Sequence, residues 1–350
     1  MTRRVVFPIL LLTMVFGLKA TANQTPSITG SSVKYTGVNL ASAEFNPDSL
    51  PGKYNLDYVY PSQADADYFL DKGMNAIRLP FLWERLQSKQ FGSLNTDELS
   101  RIDNVVNYVT QRGVVILDPH NYARYHGKIV GKDIPANAFA NFWQKLASRY
   151  KNNSRVIFGL MNEPNNMSTE VWRDAANKAI AAIRSTGATN LILVPGNAWT
   201  GAHSWEQSWY GQSNAEAMLG IKDPGNNYAF EVHQYLDADF SGTSDKCVSE
   251  TIGSQKLKSF TEWLRKNGKR GFLGEFGGGR NSTCYAAIDQ MLNYINSNAD
   301  VWLGWTYWAA GPWWGDYMYT LEPNDDGKDR PQMGLLSKHL TQSAIVAQNK

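Results

Sequence analysis

The chain has 350 residues and a formal net charge of +2, and 43% of its residues are hydrophobic. This length fits one large domain or two small ones, and the apolar share is sufficient for a sizeable core. A nearly neutral chain does not indicate nucleic acid or an anionic surface as a partner. Aromatic residues make up 12% of the chain and include twelve tryptophans, an excess that the fold must accommodate.

The first 22 residues have the composition of a secretory signal peptide. They combine a basic start (MTRR), an apolar stretch over residues 5–18 and a small-residue cleavage pattern (ATA). The apolar stretch contains a proline and is too short to span a bilayer comfortably, which disfavours the alternative, a membrane anchor. We predict a mature, exported chain of residues 23–350, extracellular or periplasmic, with no membrane association after cleavage.

The two cysteines, Cys247 and Cys284, are an even pair in a chain that we expect to be exported. This context favours one disulfide over the alternative, two buried free thiols. Sequence spacing alone does not decide between the two.

Short β-rich segments recur along the chain with longer segments between them. The candidate strands are residues 33–39, 76–80, 114–120, 156–162, 191–196, 228–235, 271–276 and 301–308. Most of them contain several β-branched or aromatic residues, as strands usually do.

Several of the intervening segments have helical periodicity. In residues 95–113 apolar side chains recur at spacings of three and four, Asn95 can cap the start and Gly113 can end the helix. Residues 137–150 and 256–268 carry similar apolar stripes.

Eight strands alternating with helices predict the α/β class and a single (β/α)8 TIM barrel over residues 23–350. The competing arrangement is an open doubly wound sheet. No glycine-rich phosphate loop follows the first strand in the sequence, which counts against the nucleotide-binding versions of that sheet.

Functional side chains stand at the carboxyl ends of six candidate strands, where barrel enzymes place their active sites. In chain order they are Arg78, Asp118 with His120, Asn162 with Glu163, His233 with Tyr235, Glu275, and Trp308. Each one alone has an ordinary structural explanation, such as a buried ion pair or a satisfied histidine. Together, at one end of a barrel, they predict an active site.

Glu163 and Glu275 end the fourth and seventh strands, which lie across a barrel from each other. Two carboxyl groups flanking a bond are what glycoside hydrolysis requires: one donates a proton to the leaving oxygen, and the other attacks the anomeric carbon or activates water. Arg78 is a candidate for the charge that keeps the nucleophile ionised. His120, His233 and Tyr235 are candidate hydrogen-bond partners.

A metal site is the alternative use of these side chains, since His120, His233, Glu163 and Glu275 are all suitable ligands. The sequence has no HExxH spacing, and Arg78 would oppose a nearby cation. We expect no metal and no other cofactor.

The tryptophans divide into two groups. Trp143 and Trp263 lie on helical stripes, and we expect them in the core. Six others follow the fifth and eighth strands, and we expect them at the same end as the carboxylates: Trp199, Trp205, Trp209, Trp308, Trp313 and Trp314. Flat aromatic rings match the C–H faces of sugar rings, so this second group favours a polysaccharide groove, with Trp199 and Trp308 as substrate-binding residues.

The ordered motifs IRLP, DPHNY, GLMNEP, EVHQYLD, GEFGG and WTYWAAGPWWGDY resemble glycoside hydrolase family 5, in clan A of the retaining glycosidases. The resemblance runs from about residue 33 to about residue 323. The segments GVNLASAEF and HQYLDADFSGTS are most similar to endoglucanases of the subfamily shared by fungi and bacteria.

This resemblance implies an endo-β-1,4-glucanase that acts on cellulose with retention, using Glu163 as acid/base and Glu275 as nucleophile. It further implies that Asn162 bonds the sugar 2-hydroxyl, that Tyr235 bonds the nucleophile and that Trp308 forms the platform of the cleavage subsite. The other matching active-site positions are Arg78, His120 and His233. A Cys247–Cys284 bridge is implied as well.

Other functions stay open from the sequence. The same chemistry could act on mannan, xylan, mixed-linkage glucan or β-1,3-glucan, and a barrel of another class could bind carbohydrate without cleaving it. We expect a monomer with a polysaccharide as its partner. Because the sequence has no cellulose-binding module or linker, we also expect weak binding to crystalline cellulose.

Overall fold

The computed structural model describes Met1, residues 32–324 and residues 326–341. The predicted signal peptide, residues 1–22, lies outside the described residues apart from Met1. The chain divides into two units, Met1–Gly30 and Ser31–Lys350, and every element below belongs to the second. No helix within the described part of the chain is both long enough and apolar enough to cross a membrane.

Eight parallel strands close into a barrel. They are β1 (Tyr35–Leu40), β2 (Ala76–Phe81), β3 (Val114–Pro119), β4 (Val156–Gly159), β5 (Ile192–Pro195), β6 (Tyr228–His233), β7 (Gly271–Glu275) and β8 (Trp302–Ala310). Each strand pairs with its neighbour in sequence, and β8 closes the barrel against β1, with Gly37 opposite Thr306. The prediction of a (β/α)8 barrel is confirmed, and the open sheet is excluded.

A helix follows each strand within the described residues. These helices are α1 (Gln63–Asp71), α2 (Thr96–Val109), α3 (Ala136–Tyr150), α4 (Thr169–Ser185), α5 (Asn214–Ala217), α6 (Ile252–Lys266), α7 (Ser282–Ser297) and α8 (Pro331–Leu336). Shorter elements are the helix Trp83–Leu86, the 3-10 turns Ala198–Thr200, Ala202–Ser204, Met218–Gly220 and Ser337–His339, and a hairpin of Arg124–Tyr125 with Lys128–Ile129. The predicted cap is present, because the Asn95 side chain accepts from the backbone N–H groups of Asp97 and Glu98.

The barrel interior changes from apolar to polar along its axis. Ala76, Val114 and Ala229 belong to a small apolar cluster inside the barrel, on β2, β3 and β6. Side chains two residues apart on a strand share a face, so Arg78 and Glu231 stand one step further along the same inner face. The inner strand positions therefore lead from a packed apolar floor into a polar site at the carboxyl end.

The larger core lies between the barrel and its helices and contains most of the buried aromatic side chains. Trp143 and Trp263 belong to it, as predicted. Trp205 belongs to it as well: it is fully buried, and its ring centroid lies 4.8 Å from that of Phe260 and 5.2 Å from that of Trp263. Placing Trp205 at the active end was therefore wrong, because the chain after β5 folds back onto α6 and takes this ring into the core.

Cys247 and Cys284 form a disulfide, so the prediction of a bridge is confirmed. The bond ties the loop after β6 to the first turn of α7. The same loop is organised by Asp237, whose buried carboxylate accepts from the backbone N–H groups of Gly242, Thr243 and Ser244.

Candidate active site

Arg78 lies at the centre of the site and is completely buried on the inner face of β2. Its guanidinium contacts Asn39, Asp118, Asn162, Glu231 and Glu275 at 2.8–3.1 Å. Three of these partners are carboxylates, so their charges outweigh burial and keep the pKa of Arg78 above its ordinary value. Arg78 is therefore a permanent, immobilised positive charge at the carboxyl end of the barrel.

Glu275, the last residue of β7, is held at both carboxylate oxygens. Oε1 accepts from Arg78 Nη1 at 2.8 Å, and Oε2 accepts from the Tyr235 hydroxyl at 2.8 Å. Burial alone would raise the pKa of Glu275, but the charges of His233 and Arg78 outweigh burial and hold this pKa below the ordinary value. The ionised form of Glu275 is thus the favoured one, with its orientation fixed.

Glu163 occupies the opposite side of the site. It follows β4, which ends at Gly159 and not at residue 162 as predicted, and its backbone has a φ of +39°. Oε1 lies 2.7 Å from His233 Nδ1. Burial raises the pKa of Glu163; contact with His233 opposes that effect, and the nearby Glu275 carboxylate reinforces it, so the pKa remains above the ordinary value.

The two glutamates are close together and differ in their preferred protonation. One oxygen of Glu163, one oxygen of Glu275 and a ring nitrogen of His233 all lie within 4.8 Å of one another. Retaining glycosidases place their two carboxyl groups about 5–5.5 Å apart, whereas inverting enzymes need about 6.5–9.5 Å to admit a water. Opposite pKa shifts on a close pair are the arrangement that separates an acid from a nucleophile.

Asn162 connects Arg78 to His120. Its Oδ1 accepts from Arg78 Nη2 at 3.0 Å, which turns its Nδ2 towards His120 Nε2, 3.1 Å away. His120 Nδ1 lies 2.8 Å from Asp118 Oδ2. Burial lowers the pKa of His120, but the charge and hydrogen bond of Asp118 act together with the charges of Glu275 and Glu44 to outweigh burial, so this pKa is raised. The Asp118 carboxylate therefore holds a proton on Nδ1, and Nε2 faces the Asn162 amide.

Trp308 stacks on His120, with the ring centroids 5.4 Å apart and the planes 19° from parallel. The backbone N–H of Trp308 donates to the carbonyl of Phe276, the residue after Glu275, so this indole lies on the Glu275 side of the site. On the Glu163 side, Trp199 is 41% exposed and lines a cavity of about 440 Å³ together with Glu163, His233 and Tyr235. The catalytic pair is therefore flanked by aromatic rings on both sides.

The other predicted aromatic residues lie near this end with different exposures. Trp209 and Trp313 are about half exposed, and Trp209 lines the same cavity as Trp199. Trp314 donates from its indole nitrogen to the Ala41 carbonyl and packs edge-on against Trp308. Trp314 therefore supports the Trp308 ring.

All eight polar residues predicted at the strand ends meet in one connected network: Arg78, Asp118, His120, Asn162, Glu163, His233, Tyr235 and Glu275. Sequence reasoning missed Asn39, Glu44 and Glu231. Asn39 supports Arg78 from β1. Glu44 is buried, and burial raises its pKa to about 7.

The missed residue with the most contacts to this network is Glu231, which lies 3.1 Å from Arg78 Nε and 3.3 Å from His233 Nε2. A signal for it exists in the sequence. In YAFEVHQY, Glu231, His233 and Tyr235 stand at every second position, which is the spacing of one strand face.

Glu163, His233 and Glu275 have the chemistry of metal ligands and are near enough to one another to hold an ion. However, the guanidinium of Arg78 is 2.8 Å from Glu275 and already neutralises that carboxylate. A cation between the two glutamates would meet this charge directly, so the geometry favours proton chemistry over metal binding.

Comparison with known proteins agrees with this geometry. The family described as "Cellulase (glycosyl hydrolase family 5)" matches residues 29–311. Endoglucanase gh5-1 of Neurospora crassa is 44% identical over 293 residues, covering 83% of this chain and 73% of that protein.

Two solved structures are also similar to this chain. XacCel5A in complex with cellopentaose is 54% identical, with a TM-score of 0.86, over 88% of this chain and 99% of that chain. An endo-beta-1,4-glucanase from Xanthomonas axonopodis pv. citri is 51% identical, with a TM-score of 0.87, over 88% and 98% of the two chains. With its barrel, its paired glutamates and these relatives, the chain belongs to glycosyl hydrolase family 5.

Proposed function

We propose that the chain is an endo-β-1,4-glucanase that hydrolyses internal bonds of cellulose or a related β-glucan with retention of configuration. The observation that carries this proposal is the catalytic pair. Glu163 and Glu275 have oxygens within 4.8 Å of each other, and their pKa values are moved in opposite directions. A barrel that only binds carbohydrate has no need for a matched acid and nucleophile.

In the first step, Glu163 gives its proton to the glycosidic oxygen while Glu275 attacks the anomeric carbon. The C–O bond to the leaving sugar breaks, and a glycosyl ester forms on Glu275. Arg78 and Tyr235 hold the Glu275 carboxylate in place before attack. The raised pKa of Glu163 keeps its proton available at the pH where Glu275 is ionised.

In the second step, water attacks the anomeric carbon and Glu163, now ionised, accepts its proton. The ester bond breaks, and the Glu275 carboxylate is restored. Two displacements at the same carbon return the original anomeric configuration. Asn162, fixed between Arg78 and His120, is suited to hold the sugar 2-hydroxyl, where hydrogen bonds strengthen in the transition state.

The choice of a β-1,4-glucan rests on the relatives and on the aromatic rings. The relatives are named endoglucanases, and one of them was crystallised with cellopentaose. Aromatic rings lie on both sides of the pair, the partly buried Trp308 on one and the exposed Trp199 and Trp209 on the other, and this arrangement suits an extended chain. A chain that extends in both directions is cleaved internally.

The test is release of reducing ends from carboxymethylcellulose by the protein lacking residues 1–22. We expect the native protein to release them and Glu275→Gln to lose at least about a thousandfold in rate. Glu262→Gln, an exposed change on α6, is the matched control and should keep full activity.

If the protein does not hydrolyse carboxymethylcellulose but does hydrolyse mannan, xylan, mixed-linkage glucan or β-1,3-glucan, the proposed substrate is wrong and the proposed mechanism still holds. If the protein hydrolyses none of these polysaccharides, and Glu163→Gln does not change its affinity for cello-oligosaccharides, the protein is a carbohydrate-binding barrel instead.

We also propose that residues 1–22 are removed on export and that the mature protein acts outside the cytoplasm as a monomer. The composition of the N-terminus and the Cys247–Cys284 bridge support export, since disulfides persist in oxidising compartments. N-terminal sequencing of the exported protein should begin at Asn23, and its mass in solution should be that of one chain.

A further inference from the structure

A third carboxylate lies behind the catalytic pair. Glu231 projects from β6 into the barrel, is 1% exposed and does not line the substrate cavity beside Glu163. One carboxylate oxygen, Oε1, contacts two basic side chains: it lies 3.1 Å from Arg78 Nε and 3.3 Å from His233 Nε2.

These two partners are the groups that control the catalytic glutamates. Arg78 donates to the Glu275 carboxylate, and His233 Nδ1 lies 2.7 Å from Glu163 and 3.5 Å from Glu275. Glu231 therefore contacts Arg78, which in turn contacts the nucleophile Glu275. It also contacts His233, which lies beside both catalytic carboxyl groups.

The surrounding backbone leaves room for this carboxylate. A Cβ atom on Gly274, the residue before the nucleophile, would lie 2.1 Å from Glu231 Oε1. Any side chain at position 274 would therefore displace the Glu231 carboxylate. The backbone carbonyl of Glu231 is also fixed, because it accepts from the Thr200 hydroxyl at 2.6 Å.

We propose that Glu231 is a positioning residue that acts through His233 to divide the roles of acid and nucleophile between Glu163 and Glu275. By accepting from Nε2–H, Glu231 keeps a proton on that nitrogen and leaves Nδ1 to exchange a proton with Glu163. The result is a relay of Glu231, His233 and Glu163 with a fixed tautomer, in which Nδ1 always faces the acid. This inference rests on the proposed glycosidase function.

The charges around the relay indicate how it would respond to losing Glu231. Titratable or charged groups facing it are Arg78 from β2, Asp118 and His120 from β3, Glu163 after β4, Tyr235 after β6, and Glu275 from β7. Burial disfavours a charged His233, but the surrounding carboxylates raise the pKa of His233 to about 10. Without the negative charge of Glu231, the pKa of His233 falls below this value.

The pH optimum of the reaction should therefore change when Glu231 loses its charge. A His233 pKa of about 10 lies far above the pH at which Glu275 titrates, so His233 keeps its positive charge there in Glu231→Gln. The change that reaches the two catalytic carboxyl groups is then the loss of one nearby negative charge, and the pKa values of Glu163 and Glu275 both fall. In Glu231→Gln, both limbs of the bell-shaped profile of kcat/KM should move to lower pH.

The experiment measures kcat and KM against pH for the native protein, Glu231→Gln, Glu231→Asp and the control Glu262→Gln. We expect Glu231→Gln to lower kcat about tenfold with KM nearly unchanged, since the residue does not touch substrate. Glu231→Asp keeps the charge and should keep the native profile. A lower rate with an unmoved profile, or a profile moved to higher pH, overturns the proposal.

A second measurement is independent of turnover and of whether Glu231→Gln folds. The protein has five histidines, so 15N-histidine labelling with a His233→Asn variant for assignment gives the protonation state of His233 in the native chain. A proton on Nε2 throughout pH 5–8 is expected; a His233 that carries its proton on Nδ1 alone overturns the proposal. If the native chain releases no sugar from any glucan, the proposed function fails while this measurement still reports on the relay.

Discussion

The hydroxyl of Tyr235 lies 2.8 Å from Oε2 of Glu275. Tyr235 stands two residues beyond the end of β6, and Glu275 ends the neighbouring strand β7. The two strands pair along their length, with His233 opposite Glu275, and this register brings the phenol over the carboxylate. The bond has one donor and one charged acceptor, which makes it stronger than a bond between neutral groups.

Removing this hydroxyl should alter both the rate and its pH dependence. The Tyr235 hydrogen bond is one of the contacts that lower the pKa of Glu275, although the charges of His233 and Arg78 contribute more. In Tyr235→Phe the pKa of Glu275 rises. Glu275 must be ionised to attack, so the acid limb of the kcat/KM profile moves to higher pH. We expect kcat at the optimum to fall about tenfold to a hundredfold, and an unmoved acid limb would contradict the assignment of Glu275 as nucleophile.

Tyr235 is itself held by the loop that follows β6. Gly242 has a φ of +73°, and a Cβ atom at this position would lie 2.6 Å from the Tyr235 ring. Gly242→Ala should therefore push the ring away from Glu275 and lower kcat, in addition to a conformational cost of about 1–2 kcal/mol.

Gly187 provides the matched control for Gly242. It has a φ of +85°, and a Cβ atom there would meet nothing within 4 Å. Gly187→Ala should show a similar loss of thermal stability with unchanged kcat. Equal kcat values in the two variants, measured on carboxymethylcellulose well below both melting temperatures, would show that Gly242 does not position Tyr235.

The barrel could be predicted from the sequence because two independent patterns agreed. Strand-like segments alternate with amphipathic ones, and chemical groups stand where the strand-like segments end. The site followed from the same pattern, since parallel strands deliver all their carboxyl ends to one side. The same pattern pairs Glu163 with Glu275 across the barrel from the sequence alone.

What the sequence did not reveal depends on contacts between distant segments. Trp205 is in the core because the loop after β5 packs against α6, and no local spacing predicts that contact. Glu231 was overlooked because an acid inside a strand is usually exposed on one face. Its burial makes sense only with Arg78 and His233 beside it. The early end of β4 has the same origin: Asn162 turns towards Arg78 and His120 beyond the last paired residue.

The disulfide should contribute to stability more than to catalysis. It closes a loop with a sequence separation of 37, for which chain entropy gives about 4 kcal/mol. The Asp237 contacts to the loop backbone remain without it. In Cys247→Ala/Cys284→Ala we expect the free energy of unfolding in urea to fall by about this amount, with kcat at 25 °C close to native. Dithiothreitol should destabilise the native protein and leave the variant unaffected, and a large loss of kcat would instead link the bridge to the site.

The role of Glu163 can be tested separately from that of Glu275. Glu163→Ala removes the proton donor, so hydrolysis of carboxymethylcellulose should fall by about 10²- to 10⁴-fold. An aryl cellobioside with a nitrophenolate leaving group needs no proton in the first step, so the glycosyl ester should still form on Glu275 and accumulate. Azide attacks that ester without a general base and fits the space left by the carboxyl group.

Azide should therefore restore turnover of the aryl substrate by Glu163→Ala and yield the β-cellobiosyl azide, the product expected when two displacements occur at one carbon. The native protein, whose base activates water, should gain nothing from azide. Formation of the α-azide would reverse the two roles, because it is the product of a single displacement and requires that the missing group be the nucleophile.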